Sequence, residues 1–148
     1  NAIPPNALAF GHLRYVVGTD VEKLMPLLRA HLDKNNFNDI SITKERDPML
    51  ATRLNPDHPW AVWIVKSLSK TTGKNIAVMP NLGGSLPNDV FASILGLPTI
   101  WVPHSYAGCS QHAPNEHILE TVSQSALRMM TGLWWDLGAE DTPYRRQQ

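Results

Sequence analysis

The segment LPTIWVP, residues 97–103, is apolar on both faces, and a strand of that kind is stable only when layers cover it above and below. Its neighbours in the chain supply such layers. WAVWIVKSLSKTTG reads as a helix ended by Gly73, NIAVM (75–79) as a short strand, and LPNDVFASILG as a helix closed by Gly96. After residue 117, Ile118, Val122, Ala126, Met129, Met130, Leu133 and Leu137 recur at helical spacing and form one apolar stripe. Helices alternating with strands predict an α/β layer built on a parallel sheet.

The first third follows another pattern. In HLRYVVG, residues 12–18, Leu13, Tyr15 and Val17 would face a core, as in a half-buried strand. Thr19 and Glu22 have the spacing of a capping box, and Val21, Leu24, Met25, Leu28 and Leu32 continue as a helix to about residue 34. DISIT, residues 39–43, is a second strand. This β-α-β unit leaves sheet edges that need partners. Residues 46–59 hold three prolines and mark a boundary.

Composition narrows the function. Thirteen basic and thirteen acidic residues cancel, with no basic stripe or charge run to suggest nucleic acid. No apolar stretch approaches the roughly 18 residues of a membrane span. One cysteine, Cys109, excludes an internal disulfide and fits a reducing compartment, so a cytoplasmic location is expected. The chain opens on Asn1, and NAIPPN reads as mid-protein sequence, so a fragment of a longer protein is expected.

Three groups of residues bear on chemistry. Cys109 and His112 lie three apart, but a cysteine nucleophile needs a base held by a third group, and nothing marks one. In NLGGSLPNDV, Gly83 and Gly84 allow close backbone approach, and Ser85 is placed to open a helix whose free N–H groups suit a carboxylate. An ordinary glycine turn with a serine cap explains the same residues. His112 and His117 are five apart, which is not the i, i+4 spacing of a helical metal pair. Each is also explained as a loop histidine bonded to backbone or water.

GGSLP, then LPTIWVP, then HAPNEH leading into an amphipathic helix resembles the C-terminal end of the cocatalytic dizinc metallopeptidases. That family includes aminoacylase, carnosinase, carboxypeptidase G, acetylornithine deacetylase and succinyl-diaminopimelate desuccinylase. The resemblance runs to about residue 138. It implies that residues 1–52 are the second half of a ferredoxin-like α+β lid or dimerisation domain. Residues 53–148 would be the C-terminal part of a catalytic α/β domain. It implies His112 as a zinc ligand, with Asn115 and Glu116 orienting the loop behind it, and Gly84 and Ser85 as contacts to the substrate's carboxylate or carbonyl oxygen. Where some members carry an arginine before GGS, this chain has Asn81 and Leu82.

The family's other ligands, a His-x-Asp motif, a bridging aspartate and a Glu-Glu pair with its general base, are expected outside this chain. No catalytic residue is therefore assigned within it. The intact protein would be a hydrolase holding two zinc ions, a dipeptidase or deacylase cutting the amide of a small peptide or N-acyl amino acid. It would pair as a homodimer through the lid. The chain alone is expected to be inactive and to bind zinc weakly. The alternative is a non-catalytic dimerisation or interaction module on the same scaffold.

Overall fold

The computed structural model describes residues 2–139 and 141–144. Three α-helices carry the architecture: α1 (Leu24–Lys34), α2 (Pro59–Thr72) and α3 (Glu120–Leu137). A 3-10 turn, Val21–Lys23, leads into α1, and a five-residue π turn, Val90–Ile94, lies between α2 and α3. Among the described residues there is no strand and no sheet. The expected α/β fold is therefore corrected to a helical one, and the β-α-β unit of the first third reduces to α1 alone.

The reason is physical. A strand closes its hydrogen bonds only on another segment, and no backbone bond joins 12–18 to 39–43 or 75–79 to 97–103 among the described residues. Residues 12–18 instead end in a turn, with Gly18 at φ 88° and the Thr19 N–H donating to Val16 O. Leu13 and Val17, expected to face a core, are exposed. Tyr15 donates its hydroxyl to Met49 O at 2.8 Å.

Helix formation needs no distant partner, and α2 shows why it appears. His58 caps it, its Nδ1 accepting from Trp60 N at 3.2 Å, and Pro59 occupies a first-turn position where no N–H is missed. Gly73 ends it in the left-handed conformation, φ 67°, where a side chain would be strained. The predicted capping box at Thr19 is not formed. Asp20 precedes the 3-10 turn without capping it, and pairs with Lys23 at 3.0 Å.

Helices α2 and α3 pack together around Trp63, Leu68 and Leu133. Burying each such side chain stabilises the pair by about 1.5–3 kcal/mol. Trp60, Ile64 and Met129 extend this core, and Ile76 and Val102, from two of the expected strands, lie against it. Trp60 meets Trp63 edge to face, with ring centroids 5.5 Å apart. Two polar side chains, Ser67 and Asp136, are buried at the contact. The Asp136 carboxylate accepts from Ser67 Oγ and Lys70 Nζ, each at 2.7 Å. The Lys70 ammonium, then the Ser67 hydroxyl, hold its carboxyl below the usual range, against the opposing effect of burial.

The covering stops there. The chain exposes 12708 Å², where a compact monomer of 16.5 kDa exposes about 7,500 Å². Leu8, Phe10, Leu127, Trp134 and Trp135 are among the large apolar side chains left in solvent.

The separation of α2 and α3 is set at Gly132. A Cβ there would lie 2.2 Å from Thr71 Oγ1 and 3.0 Å from Thr71 Cβ, an atom that side-chain rotation does not move. Replacing a helix-interior glycine by alanine gains about 1 kcal/mol of propensity, while overpacking a close contact costs about 1–3 kcal/mol. Steric cost wins here, so Gly132→Ala is expected to lower stability by about 1 kcal/mol in denaturant titration. Adding Thr71→Ala is expected to recover it through coupling between the two sites. A stabilised Gly132→Ala protein would show that the helices do not meet at this point.

Candidate functional site

Residues 103–117 cross from the strip packed on the α2–α3 core to the start of α3. The last nine of them form a closed loop. The His117 N–H donates to Cys109 O at 3.0 Å and pins the two ends together. The Cys109 N–H donates to Tyr106 O and the Ala113 N–H to Ser110 O, tightening the path between. Pro114 fixes its own φ and keeps Ala113 out of the helical region, so the loop cannot collapse into an early turn of α3.

Closure forces an unusual backbone. Ser110, His112 and Asn115 all have φ between 56° and 63°, left-handed values that cost a residue with a Cβ about 1–2 kcal/mol. Asparagine tolerates this region best, which explains Asn115. Histidine is also enriched there, which leaves Ser110 the least suited of the three, and the loop's own hydrogen bonds offset the cost. Strain held this way recurs at functional positions. His112 is exposed on the loop, and its backbone N–H donates to Glu116 Oε2 at 3.3 Å. Glu116 thus grips the backbone of His112 directly. Asn115 offers its carbonyl to His117 Nδ1 at 2.8 Å.

The other sequence candidates lie apart from this loop. Gly84 is in close contact, since an added Cβ would sit 2.9 Å from the ring of Trp101. Its missing side chain therefore makes room for an indole. The helix expected to open at Ser85 does not start there. Helical structure begins three residues later, at Asn88, and runs through the π turn Val90–Ile94 to its close at Gly96, φ 65°. At its start Asp89 accepts from Leu50 N at 3.0 Å, and Asn88 donates to Thr52 Oγ1 at 2.6 Å. The dipole argument for a carboxylate at Ser85 falls, because the helical stretch is short and begins past it. An arginine does reach this turn, because the Arg14 guanidinium donates to Gly83 O.

A His-x-Asp triplet does occur in the chain, His31-Leu32-Asp33, contrary to the expectation that the motif lies wholly outside. It sits in α1, where residues two apart point to different sides, and Arg29 pairs with Asp33 at 2.6 Å. It is not a metal pair. Ser67 and Lys70 have the spacing of a serine nucleophile with a lysine base. Ser67 is buried, however, and its hydroxyl and the Lys70 ammonium both donate to Asp136, so the lysine is not placed as a base for the serine.

Cys109 is buried, with its Sγ 3.2 Å from Ser105 Oγ. No imidazole bonds the sulfur among the described residues, so the cysteine–histidine pair is not assembled. Next to it, His104, Ser105, Thr121 and Ser125 line a shallow cleft against α3, and His104 Nδ1 is buried there without a partner. No group of three or more His, Cys, Asp or Glu side chains that could hold a metal is found among the described residues. As a donor set, the loop offers two exposed imidazoles, His112 and His117, the latter with Nδ1 bonded to Asn115 O, fewer than the three or four ligands of a zinc site. No helix among the described residues is long and apolar enough to cross a membrane.

Comparison with known proteins finds no matching family model, no matching curated protein and no matching solved structure.

Hydrogen bonding from Ser105 is the main influence lowering the Cys109 pKa, outweighing the desolvation that raises it. Ser105→Ala is expected to move the thiol's titration to higher pH, measured as the pH profile of its alkylation rate. An unchanged profile would mean that the two side chains do not meet in solution.

Proposed function

We propose that this chain is the C-terminal part of a zinc-dependent amidohydrolase, acting on a dipeptide or an N-acyl amino acid, in which His112 is a zinc ligand. The observation that supports it best is the loop. His112 is held in a left-handed conformation on an exposed rim, and the Glu116 carboxylate grips its backbone. Both constraints act on the backbone and set where the exposed His112 ring is presented.

In this reading the chain holds and orients. His112 contributes one imidazole nitrogen, Glu116 fixes its backbone, and Asn115 takes the tight bend that makes the grip possible. Zinc, when bound, supplies Lewis acidity toward the amide carbonyl and makes a water acidic near neutral pH. The remaining ligands and the general base belong to segments outside this chain, which contains no Glu-Glu pair. Gly84 and Ser85 are proposed to meet the substrate's carboxylate through their N–H groups and the serine hydroxyl. The Arg14 guanidinium at Gly83 supplies a nearby cation that favours such an anion. Pairing of two copies through residues 1–52 belongs to the same proposal, supported by the apolar side chains of Leu8, Phe10, Leu13 and Val16 that this region leaves in solvent.

The test uses the full-length reading frame carrying this chain. His112→Ala is expected to lower kcat/KM on an N-acyl amino acid or dipeptide by at least about 100-fold and to reduce bound zinc from two ions toward one. Cys109→Ala is expected to keep turnover near wild type. Full zinc content and activity in His112→Ala would remove His112 from the site. An inactive, zinc-free parent with an intact oligomer would favour the non-catalytic module.

A further inference from the structure

We propose that His117 is the latch of the 109–117 loop and the residue that positions His112; the inference rests on the reading of His112 as a zinc ligand. Three separate contacts hold it. Its backbone N–H closes the loop on Cys109 O at 3.0 Å. Its ring stands edge-on to Tyr106, with centroids 5.9 Å apart and planes at 75°. Its Nδ1 lies 2.8 Å from Asn115 O.

The last contact fixes the chemistry. A carbonyl oxygen only accepts, so Nδ1 carries the proton and donates it. Nδ1 is committed this way while Nε2 stays exposed, and the ring is anchored from two sides. The three contacts together give His117 a mechanical role in the loop, separate from anything its Nε2 meets. The bond fixes the carbonyl of Asn115, whose left-handed backbone turns the chain so that Glu116 points back at the His112 N–H. The latch acts along a short path, from the His117 ring to Asn115, then Glu116, then His112.

The path separates two substitutions. His117→Phe keeps a ring against Tyr106 and removes the donor. His117→Asn places an amide N–H close to where Nδ1 stood. In the nitrogen-15-labelled chain, His117 is expected to show the Nδ1–H tautomer. His117→Phe is expected to speed hydrogen exchange at the His112 and Ala113 amides, while α2, α3 and the thermal midpoint stay unchanged. His117→Asn is expected to restore slow exchange. In the full-length protein, His117→Phe is expected to weaken zinc binding about 10- to 100-fold, with most of the loss recovered by His117→Asn.

An Nε2–H tautomer, or a loop indifferent to His117→Phe, overturns the latch. A loosened loop with unchanged zinc affinity, while His112→Ala still releases metal, overturns the positioning role. Zinc unchanged by both His117→Phe and His112→Ala, with the loop loosened, supports the latch and rejects His112 as a ligand.

Discussion

The approach of Gly132 to Thr71 governs the rest of this structure. It lets α2 and α3 come close enough for Trp63, Leu68 and Leu133 to exclude water together, and it brings Ser67 and Lys70 within reach of Asp136. A carboxylate at that depth is costly unless it is paired and hydrogen-bonded, and here it has both kinds of partner. Val102 rests on the same core, and α3 begins 18 residues further on. The loop of residues 109–117 is thus slung between two points that the helix pair makes rigid. Its left-handed residues are held by its own closure, on a foundation that α2 and α3 provide.

Local structure was legible in the sequence where hydrogen bonds close within a segment. The helix ending at Gly73, the stripe of α3 and the end of α1 at residue 34 could all be read, because helical periodicity and a left-handed glycine act over a few residues. The strands failed for the opposite reason. The alternation of Leu13, Tyr15 and Val17 and the apolar run 97–103 describe faces that would suit a sheet, but a face does not supply the partner backbone. The helix expected at Ser85 starts at Asn88 instead, where Asp89 and Asn88 bond to residues 50 and 52 across the chain. No spacing rule anticipates that.

The loop was partly legible. The motif HAPNEH marked His112, Asn115 and Glu116 as a unit, and the structure shows how they touch: a carboxylate on an amide and an asparagine in a left-handed bend. His117 was passed over because its spacing from His112 fits no metal pair. The same spacing suits a brace, reaching back over Asn115 while its N–H closes the loop. Ser67, Lys70 and Asp136 were also missed, since Asp136 lies 66 residues beyond Lys70 and no local pattern joins them.

The direct test of the account is the position of the metal. In crystals of the full-length protein grown with zinc, anomalous scattering at the zinc edge should place an ion at roughly 2.0–2.1 Å from an imidazole nitrogen of His112. His117 Nδ1 should still face Asn115 O in the same map. Zinc coordinated wholly by other residues, with the His112 ring turned into solvent, would contradict the account.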